Sequence, residues 1–189
     1  MNRKCLQKFQ IKDVVFLAIM SAVALVTCAV MPLVISLQPL IFGISQLVTA
    51  LQIGVFFAIG LYKVRKPGSL LIMALMMGLI QLMMSPPMFL SSVLNGVLIE
   101  LIVLLLFRGY EKDGAVFCAA MLHTPLSLPF NYLYNRLVKG TDSPLAAVAD
   151  RAPLAAVGMT LAVVAVSALG ALIGIKIARE LKKSGVLKK

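Results

Sequence analysis

Met88–Phe107, MFLSSVLNGVLIELIVLLLF, is twenty residues of almost unbroken apolar sequence with one acid, Glu100, inside it. That is the length at which an α-helix crosses a hydrocarbon core. A carboxylate at such depth costs about 2.5–3.5 kcal/mol on insertion scales, so it must face other protein or a wet cavity. Ser92, Gly96 and Glu100 are spaced by four and share one helix face, with Asn95 one step to the side. The pattern predicts that other apolar segments surround this face, leaving a chamber open to the outside for a small solute.

Five further apolar stretches accompany it, and 61% of the 189 residues are hydrophobic against 13% charged. A soluble domain of this size is nearer half apolar. The sequence therefore predicts an all-α membrane protein, one integral membrane domain over 1–189. Six transmembrane helices are expected at about 14–35, 40–62, 68–84, 88–107, 115–135 and 152–177. The first run has no small-residue cleavage site followed by a soluble domain, so it is read as a span and not as a signal peptide. Pro125 and Pro129 each remove a backbone hydrogen bond, which predicts a kinked or partly unwound fifth helix. Residues 136–151, with Gly140, Ser143 and Pro144, read as a long polar loop.

Charge then orients the bundle. Six spans place both termini on one side, and fifteen of the eighteen Lys and Arg residues fall there. The other side holds only Arg136, Lys139 and Arg151. By the positive-inside rule both termini of this multi-pass membrane protein are cytoplasmic. The net charge of +11 reports this topology and is no sign of nucleic acid, because no recognition motif accompanies it. Cys5, Cys28 and Cys118 are scattered and odd in number, which argues against a disulfide framework or a metal site. No cofactor motif is present either.

No catalytic signature is present. The sequence lacks GxSxG, HExxH, P-loop and GxGxxG patterns, and His123 has no acid near it in sequence. The expected protein is not an enzyme and cannot hydrolyse ATP by itself. It is a binder, a channel or one subunit of a larger machine. The polar residues inside the spans are Gln46, Thr49 and Gln52 in the second, Gln81 in the third, Asn95 and Glu100 in the fourth, and the stripe His123, Ser127, Asn131 and Asn135 with Tyr132 in the fifth. Singly, each could hydrogen-bond a neighbouring helix. Their convergence predicts a pocket in which Glu100 and Asn95 hold the solute and Gln46, Gln81, Asn131 and Tyr132 complete the cage. The outer turns 36–39 and 85–87 would close over it. In the first span Ala18 and Ala22 flatten one face for close approach of another helix.

These residues resemble the membrane-embedded substrate-binding subunit, or S component, of energy-coupling factor (ECF) transporters, and among them the YkoE-like family. The resemblance is carried by Arg65-Lys66-Pro67-Gly68 after the second span, by Ser85-Pro86-Pro87, and by Asn95-Gly96 followed by Glu100. It is densest from Tyr62 to Arg108, and the chain departs from the family by Asn95 in place of Gln. The resemblance implies a six-helix bundle that captures a vitamin from outside, with a transmembrane coupling subunit (T component) and two cytoplasmic ATPases as partners. It implies that Ala18 and Ala22 pack on the coupling subunit. It favours thiamin or its hydroxymethylpyrimidine precursor as cargo. The absence of Trp, which leaves few aromatics to stack a pyrimidine, keeps cobalamin next. The reading that competes with all of this is a structural or assembly subunit whose polar residues pair only with one another.

Overall fold

The computed structural model describes residues 8–28, 34, 36–37, 40–83, 85–138, 140 and 143–187, and no strand occurs among them. Seven helices are described: α1 (Ile11–Thr27), α2 (Ile44–Val64), α3 (Ser69–Leu82), α4 (Pro86–Phe107), α5 (Asp113–Val138), α6 (Pro144–Arg151) and α7 (Pro153–Lys183). Several boundaries follow from single residues. Gly68, at φ +92°, starts α3 with a backbone turn that glycine adopts without strain. Pro86–Pro87 and Pro153 open α4 and α7, where a missing N–H costs nothing. Residues 29–33 and 35 of the first expected span, and Gln38 and Pro39 of the expected first outer turn, lie outside the described residues.

One expectation fails: the stretch 136–151 is not a long loop, since α5 continues to Val138 and α6 occupies Pro144–Arg151. Of the kinked or partly unwound fifth helix expected, the unwinding is not seen: Asp113–Val138 is one helix of 26 residues containing both prolines. The reason lies across the helix interface. Pro125 cannot donate to the carbonyl of Met121 four residues back, and Ser167 of α7 donates its hydroxyl to that carbonyl instead, at 2.8 Å.

Small residues set the helix spacing, as expected where lipid supplies no hydrophobic drive between helices. α2 runs through the middle and packs on α1, α5 and α7. Gly54 meets the backbone of α7, and Gly170 and Gly174 meet the backbone of α2. α3 and α4 form a hairpin closed by Gly96 against Ala74, and by Ser92, which donates to the Ala74 carbonyl at 3.1 Å. Leu101, Leu105 and Leu106 of α4, and Leu161, Leu169 and Leu172 of α7, are exposed. Among the described residues three helices are long and apolar enough to cross a membrane: α2, α4 and α7. α3 is apolar but shorter.

Ion pairs gather at one end of the bundle. Asp13 at the start of α1 pairs with Lys66 at 2.6 Å. Asp113 at the start of α5 pairs with Arg65, and with Arg179 near the end of α7 at 2.6 Å. The first and last described segments therefore meet at the same end, here called the terminal end.

Candidate ligand site: a charge-free polar layer

The interior polar side chains separate into three levels along the bundle. At the terminal end, the Glu100 carboxylate accepts from the Gly68 backbone N–H at 2.6 Å and from the Tyr110 hydroxyl at 2.9 Å. Both donors lie in the turns that join α2 to α3 and α4 to α5, and Tyr110 is fully buried. The carboxylate sits at the first turn of α3, where free N–H groups and the helix dipole favour negative charge. Burial, and then the Glu100 carboxylate beside it, push the Tyr110 hydroxyl well above the ordinary tyrosine range. Burial acts to raise the Asp113 carboxyl as well, but Arg179 and Arg65 outweigh it and hold the group below the usual carboxylate range. Glu100 is thus buried as the sequence predicts, but its bonds are to the terminal-end turns.

At the opposite end, the outer part of α5 carries α6. The Tyr132 hydroxyl donates to Asp150 at 2.7 Å, and Arg136 donates to the other oxygen of the same carboxylate at 3.0 Å. Ser143 donates to the Asn135 side chain at 3.0 Å. Asn131 contributes its backbone carbonyl, which accepts from Asn135 at 2.8 Å. Ala146 and Ala149 form the buried face of α6. Of the two α5 residues expected in the cage, Tyr132 is engaged in holding this short helix and Asn131 is half-buried beside it.

Between these levels lies the site. Asn95 on α4 and His123 and Thr124 on α5 are 1%, 5% and 3% exposed. Asn95 Oδ1, both His123 ring nitrogens and Thr124 Oγ1 are buried without a hydrogen-bond partner. The Phe57 ring of α2 packs on the His123 ring, with centroids 4.5 Å apart at a tilt of 60°. α5 packs against both α2 and α4. Counting from the turn that joins α4 to α5, Asn95 and His123 stand at depths that agree to about 3 Å at 1.5 Å per residue. On the α2 face that carries Phe57, Gln46 and Thr49 stand two to three turns nearer the far end. The Gln46 side-chain oxygen accepts from Ser45 at 2.8 Å, and Thr49 donates to the Ser45 carbonyl at 2.9 Å.

Of the six residues expected to hold solute, Asn95 and Gln46 face the bundle interior, and Glu100 lies about 7.5 Å from Asn95 along α4 at the standard rise. Gln81 is half-buried at the outer end of α3. Ala18 and Ala22 are half-buried on α1, beside the exposed Ile19. Thr124 was the residue that sequence reasoning passed over, and His123 was placed on the polar stripe with Ser127 and Asn131 but not in the cage. The available signal for both was their place directly before Pro125. A buried polar atom without a partner costs about 1–3 kcal/mol, and Asn95, His123 and Thr124 bear that cost at similar depth, as Gln52 and Ser69 do elsewhere in the bundle. The arrangement fits a site completed by a solute. No group of three or more potential metal ligands occurs among the described residues.

One solved structure, titled "Crystal structure of an S-component of ECF transporter", shares this fold with a TM-score of 0.64 and 22% sequence identity, over 95% of this chain and 89% of that one. No curated protein matches the chain. The sequence model of a family described as "Hypothetical bacterial integral membrane protein (Trep_Strep)" matches residues 11–183, so the chain belongs to that family of integral membrane proteins.

Proposed function

We propose that this chain is the substrate-binding subunit of an ECF-type importer that captures a water-soluble vitamin from outside the cell. The observation that carries the reading is the set of unpartnered polar atoms on Asn95, His123 and Thr124, buried in a bundle whose fold matches that of an S component. α1 to α5 and α7 would cross the bacterial cytoplasmic membrane, with α6 at the outer surface and the terminal end in the cytoplasm. The charge distribution supports that orientation. Asn95, His123 and Thr124 bind the solute, with Gln46 above them. Glu100 fixes the cytoplasmic turns, and Tyr132 and Asn131 seat α6 as a cover. The half-buried Ala18 and Ala22 form a flat docking strip for a transmembrane coupling subunit. ATP hydrolysis belongs to two separate ATPases, and this chain performs no chemistry itself.

The cargo we favour is a thiamin-type molecule, either thiamin or its hydroxymethylpyrimidine precursor, as the YkoE-like resemblance implies, with cobalamin next. The test is to purify the protein, identify co-purifying small molecules by mass spectrometry, and measure thermal stabilisation by a vitamin panel. A vitamin retained by the wild type and lost from Asn95→Leu supports the proposal. Protein that is always empty and stabilised by no vitamin refutes it and favours a structural subunit.

A further inference from the structure

The polar layer sits in a bundle whose formal charges lie elsewhere, and this limits what it can hold. Five of the seven acids, Asp13, Glu100, Glu111, Asp113 and Glu180, lie at the terminal end. Asp150 is on exposed α6, already bonded to Tyr132 and Arg136, and Asp142 lies outside the described residues. The carboxylate nearest the layer along the chain is that of Glu100, and both its oxygens already accept strong hydrogen bonds. The described Lys and Arg residues likewise belong to the ends of the helices or the turns. Lys63, Arg65, Lys66, Lys176 and Arg179 crowd the terminal end, and Arg136 is paired with Asp150.

Resting on the binding function proposed above, we infer that the solute of this layer is uncharged. A cation seated beside Asn95 would meet amide, hydroxyl and imidazole groups and no adjacent counter-charge among the described residues. A buried charge in that position is strongly unfavourable unless it is paired. An anion meets the same obstacle. The layer offers a carbonyl acceptor on Asn95, the two unpartnered ring nitrogens of His123, and a hydroxyl on Thr124 that serves either way. The Phe57 ring supplies an apolar wall beside them. Such a set matches a compact neutral molecule with several N–H, O–H or ring-nitrogen groups and one flat or apolar face.

The test uses the full-length chain in lipid nanodiscs. Molecules retained through purification are released, identified by mass spectrometry and assigned their formal charge at pH ~7. In parallel, calorimetric titration compares hydroxymethylpyrimidine with thiamin, which adds a cationic thiazolium ring to the same pyrimidine. It also includes the aminomethyl analogue of the pyrimidine, which carries an ammonium in place of the hydroxyl and so changes charge with little change of size. The expected results are a neutral molecule in the extract and, where the pyrimidines bind, a preference for the uncharged one of roughly a hundredfold. Asn95→Asp, which puts a carboxylate into the layer, should narrow or reverse that preference. A permanently charged molecule in the wild-type extract, or either charged compound bound as tightly as hydroxymethylpyrimidine, overturns the inference while leaving the binding function intact. An empty extract with no binding of any of the three compounds overturns both.

Discussion

Gly170→Ala tests the spacing between α2 and α7. A Cβ on Gly170 would stand 2.5 Å from the Leu51 carbonyl oxygen and 3.1 Å from its Cα, whereas ordinary contact begins at 3.4 Å. The obstacle is backbone on a central helix, so no side chain can rotate away. The two helices must part by about 0.9 Å, the shortfall from 2.5 to 3.4 Å. Overpacking of this kind costs about 1–3 kcal/mol. Replacing glycine by alanine within a helix returns about 0.5–1 kcal/mol, which leaves a net loss of about 0–2.5 kcal/mol, centred at about 1. For a chain of this length the central value corresponds to a Tm lowered by about 2–4 °C. Gly158→Ala, on the same helix, is the control, because a Cβ there meets nothing within 4 Å and only the helical gain remains. Thermal unfolding of both variants and the wild type in one detergent should give opposite shifts. If Gly170→Ala is as stable as Gly158→Ala, the helices do not approach as described and the reasoning is wrong.

Asn95→Leu removes a buried amide whose oxygen lacks a partner, so the empty protein should be about 1–2 kcal/mol more stable while solute binding weakens at least roughly tenfold. Paired measurements of Tm and affinity check both signs. Glu100→Gln keeps one acceptor oxygen for two donors, Gly68 N–H and Tyr110 O–H, and should lower stability by about 1–3 kcal/mol without altering solute affinity. A weakened affinity at unchanged Tm would return Glu100 to the site. Asp113 has a folded pKa below its usual value of 3.8, so its contribution is present above that pH and is lost as pH falls through the lowered value. Its side chain is 33% exposed, which limits the effect to about 1 kcal/mol or less. Unfolding curves of Asp113→Asn and wild type should differ slightly at neutral pH and converge as pH falls through the lowered value.

Much of the helical order was legible because the relevant signals are local. Apolar run length, basic turns and prolines at helix starts placed α2, α3 and α4 to within a few residues and the start of α7 to within one, while α7 runs six residues past its expected end. What the sequence withheld depends on partners far along the chain. Spacing identified Glu100 as buried, but its donor is the backbone of Gly68, 32 residues earlier, and no pattern specifies which end of the bundle that bond draws it to. Pro125 marks a missing hydrogen bond, yet the hydroxyl that replaces it comes from Ser167 on another helix. α6 was hidden by its own composition: the Ser-Pro that reads as a loop is also a helix start, and its buried face is made of alanines too small to register as an apolar stripe. The same limit applied to the ligand layer. Polarity within a span shows that a residue wants a partner, but only packing reveals that Asn95 and His123 lack one.

The bond from Ser167 to Met121 has a mechanical consequence. If α7 slid along α5, it would strip that carbonyl of its donor in a medium with no water to replace it. The glycine seam keys α7 equally firmly to α2. These three helices form a stiff trestle, and the α3–α4 hairpin leans on it, with Asn95 at about the depth of His123. Entry or release of a solute would then swing the hairpin. Spin labels spanning α4 and α5 should change separation when the solute binds, and labels spanning α2 and α7 should hold theirs.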